Sequence, residues 1–165
     1  MKVETAVCSF NFHPFFICGI AMNVFESEIK VRFNEVDQWG IVYYANYFTY
    51  IEVARAELLE KVGLLPALLS GTGFTAPIVN VQADFKSSAV FNDVLCVRLY
   101  LVPQITAKLV FAFKISNKET GTVVMEGEST QVLLNEKGFM VFILDGELAH
   151  KMHDLHEFFD VEMLS

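Results

Sequence analysis

The residues with the clearest chemical use lie in the segment Asp37-Gln38-Trp39-Gly40-Ile41-Val42-Tyr43-Tyr44-Ala45-Asn46-Tyr47, which sets an acidic side chain seven residues ahead of amides that open a long helix. The first amides of a helix have no partner within it and carry the positive end of its macrodipole, so the N–H of Tyr44 or Ala45 could polarise a carbonyl oxygen. A carboxylate beside the same carbonyl can attack it or activate a water. Aspartate, with an ordinary pKa of ~3.9, is already ionised at neutral pH and needs no tuning for either role. The same spacing allows a plainer reading, in which Asp37 only hydrogen-bonds the amides of its own turn. Other familiar signatures are missing: the chain has no Gly-x-Ser-x-Gly elbow, no phosphate-binding loop, no His-Glu-x-x-His and no Gly-x-Gly-x-x-Gly.

The elements that must position these groups are legible from periodicity. Residues 25–33 alternate, with Phe25, Ser27, Ile29, Val31 and Phe33 on one side and charged residues on the other, the pattern of a half-buried strand. A loop over 34–45 follows. From 46 to 62, Tyr47, Tyr50, Ile51, Ala54, Leu58 and Val62 recur at three- and four-residue spacing, which predicts an amphipathic helix with Asn46 as N-cap and Gly63 as C-cap. Gly71-Thr72-Gly73 reads as a flexible link rather than a phosphate cradle. Segments 74–86, 93–102, 106–117 and 122–135 are rich in Val, Ile, Phe and Thr and are separated by short turn signals, so they read as antiparallel strands. An apolar run at 139–144 precedes a last helix over 146–160, capped by Asp145. The order strand, helix, four strands gives an α+β architecture, a long central helix wrapped by an antiparallel sheet of about five strands. Such a sheet has open edges, which pairing with a second copy would protect.

Composition bounds the rest. The chain has 165 residues, 53% hydrophobic and 19% charged, enough for one core. Residues 22–144 read as the main domain, 145–165 as a C-terminal helix and 1–21 as an extension whose order the sequence leaves open. A net charge of −8 offers no footprint for a phosphate backbone or an anionic membrane, so nucleic acid and membrane are not expected partners. The apolar stretch at 10–21 is broken by Asn11, His13 and Pro14, which argues against a signal peptide, and nothing reaches the length of a membrane span. Cys8, Cys18 and Cys96 form no C-x-x-C pair, consistent with a reducing, cytoplasmic setting. His150, His153 and His156 step around the last helix too widely to gather a metal and read as a solvated face; no metal or cofactor is expected.

Two blocks carry a family resemblance. The run Val31-Arg32-Phe33-x-Glu35-x-Asp37-x-x-Gly40-x-Val42-x-Tyr44-x-Asn46-Tyr47, continued by Ile51-Glu52-Val53-Ala54-Arg55-Ala56-Glu57-Leu58-Leu59, and the later Asp84-Phe85-Lys86-Ser87-Ser88-Ala89-Val90-Phe91-Asn92-Asp93, resemble the 4-hydroxybenzoyl-CoA thioesterase family of hotdog-fold acyl-CoA hydrolases. The resemblance covers roughly residues 25–135 and implies a hotdog fold, active sites at a dimer interface and an acyl-CoA or acyl-carrier thioester as substrate. It implies that Asp37 is the catalytic carboxylate and that the backbone N–H of Tyr44 binds the thioester oxygen. Tyr44 stands where many relatives have His, Ser88 where Pro is common, and Asn92 where Gly is common; Asn tolerates the left-handed backbone of such a turn. Trp39, Tyr43, Tyr47 and Phe48 are candidate acyl-pocket residues, although aromatics beside an amphipathic helix also serve as core. Glu52 is the reserve carboxylate, otherwise an i,i+3 partner of Arg55, and Glu57 pairs with Lys61. Lys86 and Arg98 are among the few cations available to coenzyme A phosphates. The competing reading is a non-catalytic acyl-CoA or acyl-carrier binding module, which would gain nothing from Asp37. A homodimer or tetramer is expected.

Overall fold

The computed structural model describes residues 23–64, 74–104, 106–144 and 146–160. The expected extension at 1–21 and the Gly71–Gly73 link lie outside them. Strand β1 (Phe25–Lys30) leads through a 3-10 turn (Phe33–Glu35) to helix α1 (Tyr44–Lys61); then come β2 (Ile78–Phe85), β3 (Val94–Leu101), β4 (Lys108–Asn117), β5 (Val123–Val132) and helix α2 (Gly146–Phe158). The five strands form one antiparallel sheet in the order β1-β3-β4-β5-β2. The α+β expectation of a long helix against a five-stranded sheet is met. Tyr47, Tyr50, Ile51, Ala54 and Leu58 of α1 bury against the sheet, whose core face carries Leu95, Val97, Leu99, Phe111, Phe113 and Ile115. Each such side chain removed from water contributes roughly 1.5–3 kcal/mol.

Several local expectations are corrected by tertiary contacts. β1 ends at Lys30, because Val31 N–H turns to the Asp93 carbonyl (2.9 Å), and Phe33 is left 76% exposed instead of facing the core. α1 begins two residues ahead of Asn46, with Tyr43 at the N-cap in an extended conformation. Asn46 does not cap: its Nδ2 donates to the Glu35 carbonyl (2.8 Å). Gly63 does close the helix, in the left-handed region at φ +69°, with Gly63 N–H on the Glu60 carbonyl and Leu64 N–H on that of Leu59. Lys61 lies over the rings of Phe158 (4.8 Å) and Phe25 (5.9 Å) rather than beside Glu57. The histidines of α2 are not all solvated. His156 is buried, its Nδ1 2.6 Å from the Met152 carbonyl, because it shares the helix side that puts Met152, Leu155 and Phe159 into the core.

One cluster fixes the entry to α1. Glu35 is buried, and its carboxylate accepts hydrogen bonds from Arg32 N–H (2.7 Å), the Arg32 guanidinium (2.8 Å through Nε) and the Tyr50 hydroxyl (2.8 Å). Its carbonyl accepts Tyr43 N–H (2.9 Å) as well as the Asn46 amide. Burial pushes the Glu35 carboxyl up, but the Arg32 side chain and backbone and the Tyr50 hydroxyl outweigh it and hold the group below the ordinary 4.5. Burial, followed by the Glu35 carboxylate, pushes the Tyr50 phenol far up, so it stays a donor at any working pH.

The other feature that shapes the site is the seat of edge strand β2. A Cβ on Gly127 of β5 would lie 2.1 Å from the Gln82 carbonyl oxygen and 2.8 Å from Ala83 Cα and Phe113 Cζ, so only glycine lets β2 close against β5.

Two outcomes follow from these contacts. Gly127→Ala forces backbone apart and should cost roughly 1–3 kcal/mol, with faster hydrogen exchange at the β2 amides paired to β5 than elsewhere in the sheet. Tyr50→Phe should lower unfolding free energy at pH 7 by roughly 1.5–3 kcal/mol, the range for a bond to an ionised group. Because Glu35 is depressed in the fold, its contribution is present above its ordinary value and lost as pH falls through the folded one. The Tyr50→Phe deficit, followed by urea titration, should therefore shrink in acid, and an equal deficit at both ends of the range would contradict the assignment.

Candidate active site

The chemistry-bearing loop is a short hairpin. Val36 bridges to Val42, Asp37 N–H donates to the Ile41 carbonyl (2.8 Å), and Gly40 N–H closes the turn on the Asp37 carbonyl (3.0 Å) with φ +75°, a conformation that suits glycine. Asp37 stands on the outgoing arm, and the returning arm runs into Tyr43 and α1. The returning arm and α1 are fastened to the β2–β3 turn: Val42 N–H donates to the Ala89 carbonyl (2.9 Å), Ile41 bridges to Val90, and Ala89 N–H donates to the Tyr47 hydroxyl (3.1 Å). In that turn Asn92 takes φ +77°, the left-handed conformation expected of it. The Glu35 cluster completes the frame: the Glu35 carbonyl holds Asn46 and its carboxylate holds Tyr50, so one buried residue ties the arm carrying Asp37 to the first two turns of α1.

Asp37 is half-buried, and its two oxygens differ. Oδ1 accepts Trp39 N–H (2.8 Å), the local turn contact foreseen for it, while Oδ2 takes no hydrogen bond among the described residues. Tyr44 and Ala45 occupy the first two helical positions, and among the described residues their amides have no acceptor; the next, Asn46 N–H, folds back on the Tyr43 carbonyl (2.9 Å). A carboxylate with one oxygen unengaged among the described residues and two unspent amides at a helix start are thus held by one frame.

The candidate aromatics separate into two groups. Trp39 (76% exposed), Tyr43, Tyr44 and Phe48 lie at the surface, with the Tyr43 and Tyr44 rings 4.7 Å apart and the Tyr44 hydroxyl raising the Tyr43 phenol above its ordinary value. Tyr47 is buried beneath them, edge-on to Tyr50 (6.0 Å) and tilted against Phe85 (5.8 Å). Phe48 meets the same Phe85 edge-on at 6.4 Å, so the end of β2 packs against the first turns of α1. Phe33 and Phe91, exposed and edge-on at 5.7 Å, flank the loop. Sequence reasoning gave them no role, and their signal was only that both lie in the two resembling blocks.

The other candidate charges are engaged. Glu52 is exposed and pairs with the buried Arg55 guanidinium. Lys86 pairs with Asp84 and Glu126 (both 3.2 Å), and Arg98 with Glu26 (2.5 Å), so the cations considered for coenzyme A phosphates already hold acidic partners.

With this geometry in view, the kinship of the chain is informative. YneP of Bacillus subtilis, a candidate acyl-CoA thioesterase, is 29% identical over 118 residues, 72% of this chain and 85% of its own length. Among solved structures, a 1,4-dihydroxy-2-naphthoyl-CoA thioesterase from Synechocystis superposes with a TM-score of 0.72 at 18% identity, covering 81% of this chain and 95% of that one. A DHNA-CoA thioesterase from Staphylococcus aureus gives 0.70 at 24% identity, covering 81% and 89%. These two establish the shared hotdog fold. The sequence profile of the thioesterase-like superfamily matches residues 31–160, from just after β1 to just beyond α2, and the chain belongs to that superfamily.

Proposed function

We propose that the chain is an acyl-CoA thioesterase in which Asp37 and the opening amides of α1 act on one thioester carbonyl. The observation that carries this reading is the pairing of the unengaged Asp37 Oδ2 with the unspent N–H groups of Tyr44 and Ala45 on a single frame. The thioester oxygen would take its hydrogen bond from Tyr44 N–H, where the helix dipole favours the charge that develops. Asp37 either takes a proton from a water attacking the thioester carbon or attacks that carbon itself; in both cases the coenzyme A thiolate leaves and the acid is released. Trp39, Tyr43, Tyr47 and Phe48 are assigned to the acyl side of the site. Acyl-carrier thioesters are a second substrate source, supported by the 30% identity over 123 residues to an Arabidopsis thaliana protein named as an acyl-acyl carrier protein thioesterase.

The catalytic unit we assign to residues 22–144, with 145–165 as a C-terminal helix and 1–21 as an extension. A cytoplasmic setting is supported by the buried free thiol of Cys96; no helix among the described residues is long and apolar enough to cross a membrane. The working form is a homodimer or tetramer. Strand β2 is a sheet edge, and its Ile78, Val79, Val81 and Phe85 are 40–58% exposed beside the site, a surface that a second copy would cover.

Asp37→Asn should lower kcat on the best thioester by at least ~10²-fold with little change in folding. The oxyanion contact has its own test, because Tyr44 is the first helical position and Tyr43 is extended (φ −61°, ψ 128°), a setting that accepts proline. Tyr44→Pro removes the N–H and should abolish turnover in a folded protein, whereas Tyr44→His keeps the N–H and should retain substantial activity. For assembly, light scattering at micromolar concentration should give twice or four times the chain mass, and Val79→Lys should shift it toward monomer; a monomeric wild type with full activity would remove the interface from the mechanism.

A further inference from the structure

Tyr47 and Tyr50 stand about one turn apart on the buried side of α1, 3% and 1% exposed, with their rings edge-on at 6.0 Å. Each ends in a hydroxyl, and the two hydroxyls reach different supports of the Asp37 hairpin. Tyr50 donates to Glu35 Oε2 (2.8 Å), in the residue two ahead of Asp37 at the foot of the outgoing arm. Tyr47 accepts Ala89 N–H (3.1 Å), and the carbonyl of the same Ala89 accepts Val42 N–H (2.9 Å) on the returning arm, beside the Ile41–Val90 bridge. One helix therefore holds each arm through a phenol oxygen.

Neither contact is readily exchanged for water. Ala89 is fully buried, so its N–H relies on the Tyr47 oxygen. The Tyr47 ring is packed on two sides, against Tyr50 and against Phe85 (5.8 Å), which leaves a rigid side chain one place to put that oxygen. Burial pushes both phenols above their ordinary value, so both hydroxyls keep their protons and their hydrogen-bonding roles around neutral pH. Trp39, Tyr43 and Phe48 present exposed rings, whereas the ring and the hydroxyl of Tyr47 are both spent inside the fold.

We infer that the Tyr47 and Tyr50 hydroxyls are positioning groups for the reaction, fixing Asp37 and the amides of Tyr44 and Ala45 at the separation that one thioester carbonyl spans. This rests on the thioesterase reading above, and it adds to the acyl-side place given to Tyr47 a role for its oxygen that involves no contact with substrate. The arms are tied to each other by Asp37 N–H on the Ile41 carbonyl, so a shift at either support is carried to the carboxylate. A misplacement of about 1 Å can cost roughly 10²-fold in rate.

Tyr47→Phe keeps the ring and deletes the acceptor of Ala89 N–H. The full-length variant can be assayed on short-chain, long-chain and aryl coenzyme A thioesters, at a temperature where circular dichroism shows it folded. On every thioester that the wild type cleaves, kcat should fall about tenfold or more, by the same factor within about twofold, while KM stays within about threefold. Tyr50→Phe should act likewise from the other arm, and the double variant should lose less than the product of the two, because either break already frees the hairpin. Leu148→Ala, in α2 and outside this frame, should lower the melting temperature and leave the kcat of the folded enzyme unchanged, which separates positioning from lost stability. If Tyr47→Phe holds kcat within about twofold, if its loss varies with the acyl group as for a side chain that touches substrate, or if Leu148→Ala slows the enzyme as much, the inference is overturned while the thioesterase reading stands. Should Tyr47→Phe not fold, Tyr50→Phe decides by the same criteria, since each hydroxyl is required on its own. If the wild type cleaves no thioester, that reading falls and the inference with it.

Discussion

The buried carboxylate of Glu35 is the contact on which the site depends. A charged group this far from water survives only when its hydrogen-bonding capacity is filled, and here the Arg32 main chain, the Arg32 guanidinium and the Tyr50 hydroxyl fill it. Because the Glu35 carbonyl also receives Tyr43 N–H and the Asn46 amide, one residue joins the end of β1, the Asp37 hairpin and two turns of α1. Asp37 is only two residues away. A shift of the helix start would move the amides and the carboxylate relative to each other, and a mismatch of that kind is costly to any mechanism that needs both on one carbonyl.

The second constraint is the edge. Strand β2 closes on β5 only because Gly127 offers no side chain, and in closing it brings Phe85 against Tyr47 and Phe48. The aromatic contact beside α1 is therefore made by an edge strand that stays partly exposed. Its apolar residues Ile78, Val79, Val81 and Phe85 stay exposed next to the aromatic loop.

The 3.6-residue and two-residue periodicities by themselves determined the elements and their order, because burial of one face is written into spacing whatever the partner. The motif also singled out Asp37 and the helix start, since both readings concern residues close in sequence. Gly63 was legible for the same reason: a left-handed residue after a helix is a local demand. Tertiary structure decided what spacing could not carry. The start of α1 passed from Asn46 to Tyr44, and β1 lost Phe33, because the Glu35 carbonyl and the Asp93 carbonyl took the backbone donors that local rules would have spent otherwise. His156 went inside because α2 met the core on that side. The role of Glu35 and the need for glycine at 127 were hidden in the sequence for one physical reason. Each is a relation between residues far apart in the chain, and a hydrogen bond or a clash exists only once the fold has set the distance.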